Sequence, residues 1–221
     1  MSELSRRAPT SAMVLLVLWL AGCQLAALFE NYNVAARHTL DDTKKTLVLV
    51  EDHPTRGFGA ASANPAIAAR VQHELRENEA VQSFVALSEL NDLAAREGEA
   101  FDRMSIYEIG RRLGAQQVIY IYVDAIDQQQ SGTMVRPTAH VRVKVVDVAE
   151  QKREFPTKEH APDPDRGYPL EVTMFYSMQD QLTRTRMAEL TRRLAERVGV
   201  ESARLFFNYR RRTVGEPRED E

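Results

Sequence analysis

The stretch Ser105–Val123, SIYEIGRRLGAQQVIYIYV, decides how this chain folds. Ser105 and Glu108 have the spacing of a capping box, in which each side chain bonds the other residue's backbone N–H at a helix start. Gly110 would let this helix approach its neighbour closely, and Gly114 is typical of the left-handed residue that ends a helix. The run VIYIYV follows directly and has the β-branched and aromatic composition of a strand. The stretch therefore predicts a helix that leads straight into a strand.

Two more strands and two more helices are predicted on the amino-terminal side. The run TLVLV at Thr46–Val50 is typical of a strand that is buried on both faces. Asn64 followed by Pro65 predicts the start of a helix, and an apolar residue at every fourth position gives that helix a buried stripe. The apolar segment Ala80–Leu87 is predicted to be a second strand, and Ser88 to cap a short helix.

On the carboxyl-terminal side, Thr138–Val148 alternates apolar and polar residues and predicts an antiparallel strand with one wet face. The polar segment Gln128–Thr133 is predicted to be the turn of a hairpin, and Arg153–Phe155 a brief fifth strand. Phe175–Val198 has helical periodicity and predicts a long helix that Gly199 ends. One segment is predicted to be irregular because it is rich in proline: Pro156, Pro162, Pro164 and Pro169.

The element order predicts the fold class. Helices join the first three strands, which favours right-handed parallel crossovers between them. The third and fourth strands form a hairpin. We therefore expect an α/β fold with a small mixed sheet of four or five strands, in β-α-β-α-β-β order, packed against helices and followed by a long C-terminal helix.

The amino terminus indicates where the protein is located. Arg6 and Arg7 precede the uncharged run Met13–Cys23, which has the parts of a secretory signal peptide. The ending Leu20-Ala21-Gly22-Cys23 resembles the lipobox of bacterial lipoproteins. That resemblance implies that Cys23 carries a diacylglycerol, that the bond before it is cut and that the new amino group is acylated. An uncleaved membrane-spanning helix and a soluble protein with a free cysteine are the two alternatives.

These assignments divide the chain into four parts. Residues 1–22 are the signal peptide, residues 23–45 the lipidated terminus and linker, residues 46–208 an α/β envelope domain and residues 209–221 a charged, disordered tail. In lipoprotein sorting of the two-membrane type, an Asp after the cysteine retains a protein in the inner membrane. Gln24 stands there instead, so the resemblance implies an anchor in the outer membrane that faces the periplasm.

The domain also resembles a group of envelope lipoproteins. The helix with Ile109-Gly110 and Leu113-Gly114-Ala115, followed by a strand, is similar to the superfamily of the curli-secretion lipoprotein, the lipoprotein activator of penicillin-binding proteins and the amino-terminal domain of TolB. The resemblance covers residues 46–207 and implies a non-catalytic module that binds an envelope protein or assembles, with a homo-oligomer as one form. A subunit of an envelope secretion or transport complex is the alternative within this class.

The sequence offers few candidates for catalysis. The five histidines are scattered and none stands at metal-ligand spacing, so we expect no metal and no cofactor other than the covalent lipid on Cys23. Gly57-Phe58-Gly59 lacks the Lys of a phosphate-binding loop and predicts a plain turn. The loop Glu51-Asp52-His53 ends a strand, where active sites of open sheets lie, so a lipid-anchored hydrolase is the enzymatic alternative.

Charge and aromatic residues narrow the possible partners. The net charge is −3, and the chain has no long basic stripe, so we expect no nucleic-acid partner. Tyr120 and Tyr122 are predicted to share one face of the third strand, as part of the core or as a binding platform. The sequence thus predicts two partners, a membrane lipid held through the acyl anchor and an envelope protein.

Overall fold

The computed structural model describes residues 32–59, 63–131, 134–177 and 184–211. These residues form two compact units, one of residues 36–207 and one that joins the two ends of the described chain. The elements, in chain order, are β1 (Tyr32–Val34), β2 (Thr46–Asp52), α1 (Ala63–Glu77), α2 (Leu87–Glu97), a 3₁₀ helix (Gly98–Arg103), α3 (Ile106–Arg112), β3 (Gln117–Ser131), β4 (Met134–Asp147), β5 (Lys152–Phe155), a second 3₁₀ helix (Pro164–Arg166), β6 (Tyr168–Thr173), β7 (Tyr176–Ser177), α4 (Arg184–Ala203) and β8 (Tyr209–Arg211).

A mixed sheet forms the centre of the larger unit. β2 pairs with β3 in parallel, and β3 pairs with β4 in a long antiparallel hairpin. β5, β6 and β7 all pair with the other side of β4, one after another along its length. The mixed α/β architecture, the parallel β2–β3 pair and the hairpin confirm the predicted fold class.

The helix before β3 begins at the predicted cap. Ser105 is the N-cap, and its side chain accepts a hydrogen bond from the backbone N–H of Glu108 at 3.2 Å. The Glu108 carboxylate instead accepts a hydrogen bond from Arg112 on the next turn. Of the two capping-box bonds, the structure therefore shows the one that the Ser105 side chain accepts. Gly114 follows the helix with φ of +65°, as its position predicts. Gly110 packs on Val148, where a Cβ would lie 2.8 Å from a methyl group.

Helices cover the two faces of the sheet. α1 packs on β2 and on α4, and α4 packs on β4 and β6. On the opposite face, α2 and α3 close a core cluster that includes Leu47, Leu93, Ile109, Val118 and Val146. Burial of these apolar side chains is the main force that holds the layers together.

The C-terminal helix differs from the prediction in both bounds. Its described part starts at Arg184, and Tyr176–Ser177 forms strand β7 instead of the helix start. Gly199 does not end the helix, which continues to Ala203. A Cβ on Gly199 would lie 2.9 Å from the carbonyl oxygen of Ile67 on α1, so this glycine permits a close helix contact. Met178 and Leu182, which were assigned to the helix, lie outside the described residues.

The prediction of a strand at Ala80–Leu87 is wrong. Only Phe84 makes a strand-like contact, an isolated parallel bridge with Thr46. Val81 and Val85 are both fully buried, so the apolar composition serves packing instead of a full ladder. The short helix that follows begins at Leu87 with Ala86 as its N-cap, so Ser88 is not the cap.

Two polar or proline-containing segments extend the sheet. β3 runs on to Ser131, through most of the segment that was predicted to be a turn, because the long partner strand β4 continues the pairing from Met134. The proline-rich segment contains a strand, since β6 pairs with β4. Pro169 is tolerated there because β6 lies at an edge of the sheet.

The smaller unit contains a two-stranded antiparallel sheet. Tyr32–Val34 of the predicted linker pairs with Tyr209–Arg211 of the predicted tail. Tyr and Val have side chains that favour strands, which is why these short segments pair. Residues 212–221 lie outside the described part of the chain.

Candidate functional site

Four side chains continue the sheet face beyond the core cluster of α2 and α3. In the register of the hairpin, Tyr120 faces Lys144 and Tyr122 faces Arg142. Tyr120 packs against the edge of the core cluster, and all four side chains are half-buried. We call Tyr120, Tyr122, Arg142 and Lys144 the tyrosine–cation cluster. It is the part of this face where polar groups replace the apolar core.

The cluster is held by stacking and cation–π contacts. The rings of Tyr120 and Tyr122 are stacked, with centroids 6.4 Å apart and an interplanar angle of 27°. The Arg142 guanidinium lies 5.1 Å from the ring centroid of Tyr122, and the Lys144 ammonium 5.9 Å from that of Tyr120. Each such contact contributes about 0.5–2 kcal/mol. The four side chains therefore hold one another in place before any partner binds.

The two cations differ in their ionic partners. Arg142 forms a two-pronged ion pair with Asp124, and its Nε donates to Oδ2 at 2.6 Å. Lys144 has no carboxylate within ion-pair distance among the residues that the structure describes. Burial, followed by repulsion from Arg142 and Arg153, lowers the pKa of Lys144. An added carboxylate next to Lys144 would relieve this repulsion.

Glu51 of the proposed hydrolase loop belongs to the edge of the same cluster. The Tyr120 hydroxyl donates a hydrogen bond to Glu51 Oε2 at 2.6 Å. Burial, and then this hydrogen bond, raise the pKa of Tyr120. The bond fixes the tyrosine ring at the end of β2 and gives Glu51 a structural partner.

Asp52 and His53 do not join Glu51 in one constellation. The Asp52 carboxylate accepts hydrogen bonds from the backbone N–H groups of Phe58 and Gly59, at 3.0 and 3.1 Å. His53 Nδ1 accepts from the backbone N–H of Thr55 at 3.3 Å. Since successive residues of a strand point to opposite faces, Glu51 and Asp52 diverge. Each of the three side chains has a partner in the loop or on the sheet.

The Gly57-Phe58-Gly59 turn packs closely against the Asp52 carboxylate. A Cβ at Gly57 would overlap the Asp52 carboxylate, because it would lie 1.4 Å from Oδ1. Gly59 has φ of +61°, a conformation that favours glycine. The segment therefore turns around a carboxylate of its own chain, in agreement with the prediction of a plain turn.

An open cleft of about 590 Å³ adjoins the cluster at β4 and β6. It is lined by charged side chains of both signs, among them Arg56, Asp124, His140, Arg142, Arg166 and Glu171. Gly167 closes one side of it with φ of +103°, and a Cβ there would lie 3.2 Å from side-chain atoms of both Arg142 and Lys144. The loop before β6 thus packs on the aliphatic stems of Arg142 and Lys144.

The remaining predicted site residues lie elsewhere. Cys23 and the whole lipobox are outside the described residues. His38 is packed against Phe155, with ring centroids 5.5 Å apart, and burial lowers the pKa of His38. Within the described ranges, no group of three or more potential ligands could hold a metal ion. No helix in those ranges has the length and hydropathy needed to span a bilayer.

Sequence reasoning identified the two tyrosines but not the whole cluster. Arg142 and Lys144 were assigned only to a wet strand face. The hairpin register, which places each cation opposite a tyrosine, is the signal that connects them. That register depends on where the turn falls, and the polar run before it obscured the turn position.

Comparison with protein-family models gives no match, and comparison with curated protein sequences gives none. Several solved structures have a similar architecture. Lipoprotein GNA1162 from Neisseria meningitidis is 13% identical, with a TM-score of 0.42, over 66% of this chain and 92% of that chain. The PelC dodecamer from Paraburkholderia phytofirmans is 10% identical, with a TM-score of 0.41, over 80% of this chain and 97% of that chain.

The LpoB C-terminal domain from Salmonella enterica is 12% identical, with a TM-score of 0.35, over 61% of this chain and 84% of that chain. Bacterial lipoproteins are therefore among the proteins that this chain is similar to in structure. The three TM-scores lie between 0.35 and 0.42, and the similarity concerns the fold alone.

Proposed function

We propose that this protein is a lipid-anchored lipoprotein of the cell envelope whose folded unit docks a protein partner and does not catalyse a reaction. The tyrosine–cation cluster is the observation that carries the docking role. Tyr and Arg are among the residue types that contribute most to binding energy at protein interfaces. One stack of two tyrosine rings and two cation–π contacts are already formed here. The anchor rests on the lipobox sequence that ends in Cys23, and Gln24 supports the outer membrane.

The partner surface should bring a carboxylate to Lys144. Arg142 already has Asp124 as its ion-pair partner, whereas Lys144 has no such partner among the described residues and is repelled by Arg142 and Arg153. A carboxylate of the partner would give Lys144 an ion pair and raise its pKa. The stacked tyrosine rings would supply the apolar contact area beside it.

The hydrolase alternative has no observation in its favour. Glu51 is bonded to Tyr120, and Asp52 holds the backbone of its own loop. A subunit of a secretion or transport complex is one form of the proposed docking role, in which the partner is another component of that complex.

Site-specific photocrosslinking in intact cells tests the docking role. A photoreactive residue at Tyr122 should capture one partner, and Lys144→Glu should abolish the crosslink. The same residue at His73, which is exposed on α1, is the matched control and should capture no such species. Equal products from both positions would contradict the proposal.

Two further variants separate the alternatives. Cys23→Ala should prevent acylation and remove the crosslinked product if the anchor places the protein beside its partner. A measurable turnover that Glu51→Gln and Asp52→Asn both abolish, in the absence of any crosslinked partner, would favour the hydrolase.

A further inference from the structure

Strand β2 lies at an edge of the sheet, so one of its two sides faces away from β3. β2 pairs with β3 on one side, and on that side the odd-numbered residues make the bonds. The N–H of Gln116 donates to the carbonyl of Lys45, and the N–H of His53 donates to the carbonyl of Val123. Because the direction of the backbone N–H and C=O groups alternates along a strand, those of the even-numbered residues of β2 point away from β3, toward the outer edge.

The chain itself begins to pair with this outer edge and then stops. Thr46 donates its N–H to the carbonyl of Ser83 and accepts from the N–H of Val85, each at 2.9 Å. The chain then turns away into α2. The backbone N–H and C=O groups of Val48 and Val50 have no hydrogen-bond partner among the residues that the structure describes.

The unpaired groups of Val48 are shielded from water, and those of Val50 lie at the edge of the buried region. Val48 is fully buried and Val50 is half-buried. More than about 90% of buried backbone polar groups in native proteins have a hydrogen-bond partner, so a buried N–H and C=O without partners are unusual. The Asn64 Oδ1 atom nearby is also buried and lacks a hydrogen-bond partner among the described residues. Three residues therefore have unused hydrogen-bonding groups at one place.

A narrow cleft of about 180 Å³ runs along this edge, and we call it the β2 slot. Its walls come from α1 on one side and α2 with the first 3₁₀ helix on the other. The lining includes Asn64, Pro65 and Ala68 from α1, and Leu90, Ala94 and Phe101 from the other wall. Most of this lining is apolar, whereas its floor offers the backbone donors and acceptors of β2.

We propose that the β2 slot receives an extended segment of a partner protein, which pairs with Val48 and Val50 as an additional strand of the sheet. An extended backbone fits because its outward N–H and C=O groups repeat every second residue, at about 6.6–6.8 Å, as those of β2 do. Asn64 Oδ1 accepts from a further N–H of the segment. The side chains of the partner segment that face α1 and α2 are small or medium-sized and apolar.

The segment continues the line that Ser83–Val85 begins at Thr46. It occupies the space that the chain leaves when it turns into α2 at Leu87. This site is separate from the tyrosine–cation cluster, although Glu51 contacts both, so the inference goes beyond the proposed function. Variants of Lys144 test the cluster, and variants of Ala94 test the β2 slot, so each can fail alone.

The test selects peptides from a displayed library of short linear sequences against the full-length protein in detergent micelles. Ala94→Trp fills the β2 slot, whereas Ala95→Trp adds the same ring at the exposed neighbouring position. A selected peptide should lose about tenfold or more in affinity for Ala94→Trp and stay within about twofold for Ala95→Trp. Fluorescence anisotropy of the labelled peptide gives both affinities.

N-methylation of the peptide backbone identifies the binding mode. In an added strand, only every second N–H faces β2, so methyl groups at alternate positions should abolish binding and those between should not. Asn64→Leu should weaken binding as well. Three results would each overturn the proposal. The first is a set of peptides that all bind the two Trp variants equally, and the second is a selection that yields no peptide able to discriminate between the variants. The third is an effect of N-methylation that does not alternate along the peptide.

Discussion

The contact between α1 and α4 at Gly199 gives a prediction that the structure allows us to work through. A Cβ at this position would lie 2.7 Å from the Cβ of Arg70 and 2.9 Å from the carbonyl oxygen of Ile67. Both atoms are fixed to the backbone of α1, so a change of rotamer cannot relieve the overlap. Gly199→Ala therefore requires the two helices to move apart.

The magnitude follows from two opposing effects. Carbon atoms pack best at about 3.5–4.0 Å, so the helices must separate by about 0.8 Å or more. Overpacking of this kind costs about 1–3 kcal/mol, and we take about 2–3 kcal/mol because backbone atoms are involved. Replacing Gly by Ala inside a helix returns about 1 kcal/mol. The net expectation is a loss of about 1–2 kcal/mol in the free energy of unfolding.

Urea unfolding of the full-length chain in detergent measures this change through the denaturation midpoint. Ala188→Gly is the matched control, because Ala188 is exposed on the same helix. That variant should lose about 1 kcal/mol, which shows that α4 otherwise prefers alanine. If Gly199→Ala instead stabilised the protein by about 1 kcal/mol, the close approach of α1 and α4 would be refuted.

Two further predictions concern charge. Lys44→Met should lower the free energy of unfolding by about 1–2 kcal/mol at neutral pH, because Lys44 Nζ lies 2.8 Å from a carboxylate oxygen of the buried Asp147. The backbone N–H of Glu150, and then Lys44, lower the pKa of Asp147 by hydrogen bonding to its carboxylate. The difference in stability between the variant and the wild type should therefore narrow as the pH falls below the ordinary value of 3.8, and urea titrations that show a constant difference would contradict this. Burial lowers the pKa of His38, so protonation disfavours the folded state and the wild type should lose stability as the pH falls through 6.5. In thermal unfolding, the stability of His38→Phe should depend less on pH than that of the wild type, whereas the exposed control His73→Phe should keep the wild-type pH dependence. The same pH dependence in His38→Phe and in the wild type would contradict this role of His38.

Local signals in the sequence predicted the elements whose stability is local. The cap at Ser105 and the left-handed Gly114 depend only on neighbouring residues, and both are present in the structure. The β-branched runs of β2 and β3 likewise form strands because their side chains suit a buried sheet. The parallel pairing of β2 and β3 agrees with the prediction made from the helices that join the strands.

Tertiary contacts decided the elements that the sequence did not predict. Ala80–Leu87 has the composition of a strand, but only Phe84 reaches a strand partner, because the chain turns into α2. Gly199 is a helix-ending residue by local preference, and α1 packs so closely there that the glycine is needed within the helix. In both cases a distant part of the chain overrides a local preference.

The candidate site was predictable only in part. Alternation along β3 places Tyr120 and Tyr122 on one face, but their contacts with Arg142 and Lys144 depend on the hairpin register. The β2 slot could not be predicted at all, because it is defined by backbone groups that fail to find a partner. Whether a backbone group has a hydrogen-bond partner depends on where each neighbouring segment ends.

Mass spectrometry of the full-length protein purified from membranes tests the central claim most directly, since the proposed location and the docking role both depend on the anchor at Cys23. The account predicts a mature chain that begins at Cys23, with a diacylglycerol on its sulfur and an acylated amino group. A chain that retains residues 1–22 and carries an unmodified Cys23 thiol would contradict it.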